Sequence, residues 1–233
     1  IRTNNEVFRH CKIVQSSHYL SALKSSHLKK SRWLKGAKET IIYAPCDTLR
    51  GIYNLNTPLY DPNWYCNYLK ELIGYFCERR DKIFIFKCRP LGFGWVERVL
   101  VPYIKLKNFA NIRIENKPLI SYLHQVDRIV LDYPTTGFYE SVVAKVPTLS
   151  LYKGNYLIWE EARKFFGPML QPFADAKEAI GHIDRFLASD KKKYVTELPL
   201  VQNDIADLFH RMEASGRSKE NLFCMSGSKE DSR

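Results

Sequence analysis

The stretch VDRIVLDYPTTGFYESVVAKVPTLSLY, residues 126–152, reads as strand, turn, helix and strand without a break. Residues 127–132 carry an apolar run between two aspartates, which predicts a short buried strand. Pro134, Thr135, Thr136 and Gly137 then open a helix over 138–145, and residues 146–152 return to a strand pattern. Two apolar strands joined through one helix run parallel, and parallel strands are buried on both faces. The expected fold class is therefore α/β, a doubly wound parallel sheet of Rossmann-like type.

Working outward, the same alternation continues. TIIYAP, residues 40–45, predicts a first strand, and residues 46–62 a long loop. A helix over 61–80 follows, with Asp61 as its cap and Pro62 in its first turn. Trp64, Tyr68, Leu72, Tyr75 and Phe76 share one helical face, the pattern of core packing. KIFIFK, 82–87, predicts a second strand; a glycine-containing loop leads to a helix over 95–106, then a strand over 111–115 and a helix over 118–125. Beyond residue 152 the expectation is two helices, 157–166 and 175–189, linked through Pro168 and Pro172, and a last helix over 201–213. The domain plan that follows is a basic linker or remnant of an upstream domain over 1–38, a Rossmann-like domain over 39–190, a C-terminal helical segment over 191–213 and a disordered tail over 214–233.

The charge is unevenly placed. Residues 1–38 hold nine basic residues against Glu6, so this segment carries +8 of the chain's +11. A protein that tracks a nucleic-acid backbone carries its excess through the fold, so nucleic acid is not the expected partner. A leading basic segment suits anionic lipid or an upstream domain. No run of about 18 apolar residues occurs to cross a membrane. The expected location is cytoplasmic, with peripheral contact at the inner face of the membrane. A start at Ile1 fits a piece of a longer protein. The six cysteines, Cys11, Cys46, Cys66, Cys77, Cys88 and Cys224, form no C-x-x-C pair and are expected as reduced thiols.

Ligands of open parallel sheets bind outside the carboxyl ends of the strands. Three loops qualify, at 45–50, 87–94 and 132–140. In the third, Thr135, Thr136 and Gly137 start a helix directly after a strand, an arrangement that suits a phosphate or diphosphate. The alternative is a threonine that only caps the helix and a glycine that lets it pack. Lys87 and Arg89 project to one side of the second strand's end and fit a diphosphate, unless they are merely solvated charges. Glu140, about a helical turn beyond Thr136, is a candidate for ribose hydroxyls or a solvent-facing acid. P-loop, G-x-G-x-x-G, G-x-S-x-G and D-x-D motifs are absent, and the histidines have no metal spacing, so neither a metal nor a permanently bound cofactor is expected.

IIYAP (41–45), FIFKCRP (84–90) and the 126–152 block occur in this order. Together they resemble the C-terminal nucleotide-binding half of GT-B-type transferases of surface polysaccharide synthesis. The nearest patterns are those of the CDP-glycerol glycerophosphotransferase family and related capsule, lipopolysaccharide and polysialic acid transferases. The resemblance covers about residues 38–187. It implies a metal-independent glycosyltransferase-like enzyme whose substrate is a CDP-, CMP- or UDP-linked donor and whose acceptor is a cell-surface glycan or lipid-linked molecule. It also implies an upstream N-terminal domain that supplies the catalytic base. By the same resemblance Lys87, Arg89, Thr135, Thr136 and Gly137 hold the donor phosphate, with Arg89 stabilising charge on the departing phosphate. Glu140, Pro45, Asp47 and Thr48 face the ribose and base. Two departures stand out: Arg89-Pro90 replaces a His-Pro pair, and Thr135-Thr136 replaces paired serines. Arginine keeps a phosphate donor without a group that titrates near neutral pH, which favours the broader glycosyltransferase reading. A nucleotide-sugar epimerase on the same fold and a non-catalytic membrane- or partner-docking domain are the competing readings.

Overall fold

The computed structural model describes residues 38–46, 60–88, 95–154, 158 and 160–196. All fall within the unit Ile1–Glu197. The basic segment before Lys38, most of the 46–62 loop, the expected 201–213 helix and the tail lie outside the described residues.

Among the described residues six strands form one sheet: β1 (Glu39–Ala44), β2 (Lys82–Lys87), β3 (Ile112–Glu115), β4 (Arg128–Leu131), β5 (Thr148–Lys153) and β6 (Leu170–Phe173). Their order is β3-β2-β1-β4-β5-β6, and every pair is parallel. The helices are α1 (Pro62–Glu78), α2 (Trp95–Lys107), α3 (Thr136–Val143), α4 (Glu160–Phe166) and α5 (Ala176–Ala188). This is the doubly wound α/β arrangement expected from the 126–152 stretch. The order reverses between β1 and β4, where Ile41 pairs Arg128 and Tyr43 pairs Val130.

Burial explains the strand sequences. Ile41, Ile42 and Tyr43 are all buried, as are Phe84, Ile85 and Phe86 and the whole of β4. Layers on both faces leave no polar side to alternate with. α1 starts where Asp61 accepts a hydrogen bond from the Trp64 amide at 2.8 Å and Pro62 fills the first turn. Its buried face is Tyr65, Tyr68, Leu69, Leu72, Ile73 and Phe76. Trp64 and Tyr75, expected in the core, are only half-buried at its margins. α5 has Asp175 as its cap and buries Ala176, Ala179, Ile183, Phe186 and Leu187.

Three expectations are corrected. Leu170–Phe173, read as part of a helix–helix linker, is a sixth strand. Among the described residues it lies at the sheet edge beside β5, where Pro172 opposite Tyr152 is tolerated because an edge strand need not donate on both sides. The helix over 118–125 is only a 3₁₀ turn, Leu119–Ser121, after which the chain descends into β4. The helix at 157–166 narrows to Glu160–Phe166.

The amino edge of the sheet is closed by an ion network. Glu39 meets Arg128 Nε at 2.8 Å, Lys82 Nζ at 3.0 Å and Lys191 Nζ at 3.0 Å. Arg128 also donates to the carbonyls of Phe186 (2.7 Å) and Ser189 (2.9 Å), tying β1 and β4 to the end of α5. Burial pushes the Glu39 carboxyl up, but its hydrogen bonds to Arg128, Lys82 and Lys191 outweigh it and bring it down to about 2. Cys66 and Cys77 are free thiols; Cys11 and Cys224 lie outside the described residues. No helix among the described residues is long and apolar enough to cross a membrane.

Candidate functional site

The topological reversal puts the carboxyl ends of β1 and β4 side by side, the place where doubly wound sheets open a crevice. On the β4 side the chain leaves the strand at Asp132, turns through Tyr133 and Pro134, and enters α3. Thr135 caps that helix: its Oγ1 accepts from the Gly137 amide at 3.2 Å, and its carbonyl accepts from the Phe138 amide at 2.9 Å. Two of the first-turn amides, those of Gly137 and Phe138, are thus committed to Thr135. Thr135 and Thr136 are exposed, so the Thr136 hydroxyl faces solvent at the positive end of the helix.

Gly137 is buried, and a Cβ there would stand 2.9 Å from Leu119 Cδ2. The capping and packing roles expected as the alternative at Thr135 and Gly137 are therefore both present. Thr136 is left at the surface of the turn. Glu140 is buried rather than solvent-facing, which corrects the view of it as a surface acid. Pro45 follows β1 directly and is half-buried. Lys87 ends β2, the other neighbour of β1, with its Nζ donating to the Cys88 carbonyl at 3.0 Å. Pro45, Lys87 and the 135–137 turn thus share the carboxyl edge of three adjacent strands. Arg89, Asp47 and Thr48 lie outside the described residues.

Beneath this edge lies a group that the sequence did not single out. Asp132 is 1% exposed. Its carboxylate accepts from Tyr43 at 3.2 Å and, closer still, from Tyr65, while its carbonyl accepts from Tyr60 at 3.1 Å. Tyr68 adds a fourth buried hydroxyl beside that of Tyr43. Burial pushes the Asp132 carboxyl up to about 7 against the opposing hydrogen bonds of Tyr65 and Tyr43. Burial, with the charge of Asp132, pushes Tyr43, Tyr60 and Tyr65 far above their ordinary value. Tyr43 lies on β1 while Tyr60, Tyr65 and Tyr68 cluster around the start of α1, all far in the chain from Asp132, so no linear motif announces their convergence on it.

Lys153 was also missed. It ends β5 and holds its Nζ 4.0 Å from the centroid of the half-buried Trp64 ring, which stacks at 5.3 Å on Tyr68. A cation and an aromatic face thus flank the same edge from the α1 side. Chemically, this edge offers anion-binding groups above a buried carboxyl able to hold a proton. Among the described residues no group of three or more His, Cys, Asp or Glu could hold a metal ion.

No family model matches the chain, and no curated protein matches it in sequence. Among solved structures it is similar to the Methanocaldococcus jannaschii UDP-GlcNAc 2-epimerase in complex with UDP-GlcNAc and UDP, at 15% identity over 87% of this chain and 51% of that one, with a TM-score of 0.47. It is similar to the glycotransferase of kitacinnamycin at 12% identity over 82% of this chain and 43% of that one, TM-score 0.42. A third is an alpha,alpha-trehalose-phosphate synthase (UDP-forming) from Burkholderia vietnamiensis, at 13% identity over 86% and 49%, TM-score 0.48. The chain spans about half the length of these proteins.

Proposed function

We propose that this chain is the donor-binding part of a GT-B-type, metal-independent transferase. In this reading it moves a sugar or polyol phosphate from a CDP-, CMP- or UDP-linked donor to a cell-surface glycan or lipid-linked acceptor. The observation that carries the reading is the exposed Thr135-Thr136 start of α3, set at the carboxyl end of β4 beside the reversal of strand order. The order in which IIYAP, FIFKCRP and DYPTTG occur supports it.

In this reading the Thr135-Thr136-Gly137 turn binds the donor phosphates through the Thr136 hydroxyl and amide, with Lys87 and Arg89 supplying positive charge from the end of β2. Charge-assisted hydrogen bonds of about 1.5–3 kcal/mol each dominate over the helix dipole, about 0.3–1 kcal/mol. Pro45, Asp47 and Thr48 line the base side, and Glu140 serves the ribose. The chain's contribution to the reaction is to orient the donor and stabilise the departing phosphate, with Arg89 in the latter role. An upstream domain brings the acceptor and the catalytic base, and the basic segment over 1–38 meets that domain or anionic lipid at the cytoplasmic face.

Calorimetric titration with CDP, CMP, UDP and GDP, with and without EDTA, tests the reading. Selective binding of one nucleotide, insensitive to EDTA, is expected. Thr136→Ala and Arg89→Ala should each weaken it several-fold; wild-type affinity in both would overturn the site assignment.

A further inference from the structure

Asp132 is a buried carboxyl, and among the described residues no cation lies against it. The groups that act on it most after burial itself are the hydroxyls of Tyr65 and Tyr43 and the backbone amides of Cys46 and of Asp132 itself. Its Oδ1 makes no hydrogen bond of normal geometry. An unpaired buried oxygen costs more on a carboxylate than on a neutral carboxyl, so the site favours the protonated form. The same residue starts the turn into α3, and its carbonyl is pinned by Tyr60.

We propose that Asp132 is the positioning residue of the β4–α3 turn and that it takes up a proton when an anionic ligand binds there. The proposal rests on the donor-binding reading and extends it: donor binding and protonation become one linked equilibrium. The 135–137 turn begins three residues beyond Asp132, so a bound phosphate lies within roughly 10–15 Å of the carboxyl. Two negative charges this close to a buried region repel, and the carboxyl gives way by protonating.

Among the described residues, the titratable groups that face it are Tyr43 and Cys46 from the β1 side, Tyr60 from the segment before α1, and Tyr65 and Tyr68 from α1. Burial keeps the four tyrosines neutral well beyond neutral pH. Burial also places the titration of the Asp132 carboxyl near 7. By linkage, affinity then falls as pH rises through neutrality.

The test is calorimetry on the full chain with UDP-glucose and CDP-glycerol, diphosphate diesters that do not titrate between pH 6 and 8. Titrations at pH 7 in two buffers of different ionisation enthalpy count the protons taken up. The wild type should take up about half a proton and bind up to about tenfold more tightly at pH 6 than at pH 8. Asp132→Asn, which keeps a carbonyl for Tyr43 and Tyr65, should bind with no proton uptake and a flat pH profile. Asp132→Ala should bind several-fold more weakly at every pH; if it fails to fold, Asp132→Asn decides. Binding without proton uptake in the wild type, or uptake that persists in Asp132→Asn, overturns the linkage and leaves the donor-binding reading standing. A folded wild type that binds neither compound at pH 6 overturns the donor-binding reading and the linkage with it.

Discussion

The Tyr43 hydroxyl donates a hydrogen bond to the Asp132 carboxylate at 3.2 Å, joining the ends of β1 and β4 across the point where the strand order reverses. Tyr65 reaches the same carboxylate from α1, so one buried acid gathers two strands and a helix. The candidate phosphate turn follows it in the chain. Fold and site therefore share this residue, and its protonation state affects both.

The first consequence concerns stability. The Asp132 carboxyl is raised from 3.8 to about 7 by burial in the folded chain. Between these values the folded state holds a proton that the unfolded state has released. The contribution of this group is therefore greatest below about pH 4, declines as pH rises to about 7, and is flat beyond. At about 1.4 kcal/mol per unit, the loss is on the order of 4 kcal/mol. Urea denaturation from pH 4 to 8 should show this decline in the wild type but not in Asp132→Asn. A decline of equal size in both would show that other groups cause it.

Glu39 acts in the opposite sense at the other end of the sheet. Its folded carboxyl sits at about 2, below the ordinary 4.5, because the hydrogen bonds to Arg128, Lys82 and Lys191 outweigh burial. Its contribution is present above pH 4.5 and is lost as pH falls towards 2. Arg128, whose side chain is 5% exposed, holds Glu39 and two carbonyls of the α5 end together. Arg128→Met should cost roughly 3 kcal/mol, because it leaves a part-buried carboxylate and two carbonyls short of their donor. Chemical denaturation at pH 7 measures it; a cost below 1 kcal/mol would mean that Lys82 and Lys191 suffice.

How much of this was legible follows from burial and chain separation. β1, β2 and β4 are legible as apolar runs because both their faces are covered, and DYPTTG marks the β4–α3 turn by its own chemistry. Leu170–Phe173 was misread because Pro172 signals a break, and only the edge position makes it harmless. Asp132 stood in plain sight at the end of a strand, but its meaning depends on Tyr43, Tyr60 and Tyr65, which lie 67 to 89 residues away in the chain. The burial of Glu140 likewise depends on how α3 sits on the sheet, which helical spacing does not show.

Thr135 offers a test that separates cap from ligand. Its hydroxyl accepts from the Gly137 amide, so Thr135→Ala should cost about 1 kcal/mol of stability, and Thr135→Ser should restore most of it. Thermal melting measures both. Thr136 makes no such bond, and Thr136→Ala should leave the melting temperature within a degree or two while weakening nucleotide binding. If Thr136→Ala instead destabilises as much as Thr135→Ala, the capping role belongs to both threonines and the division fails.

Gly137 tests how tightly the turn is seated. A Cβ there would meet Leu119 Cδ2 at 2.9 Å, Thr135 Oγ1 at 3.5 Å and Leu131 Cδ2 at 3.8 Å. The nearest contact is the tip of a leucine, which can shift by a few tenths of an ångström. In Gly137→Ala that shift opposes a gain of about 1 kcal/mol in helix propensity, so the net change should be small. Gly137→Val adds two more methyl groups against Leu119 and Leu131, where overpacking costs about 1–3 kcal/mol. The displacement it forces is felt first at Thr135 and Thr136, so nucleotide affinity should fall further in the valine variant than in the alanine one. Denaturation and calorimetry on the same two proteins check this. A valine variant with wild-type stability and affinity would mean that the 3₁₀ turn yields freely and does not fix the start of α3.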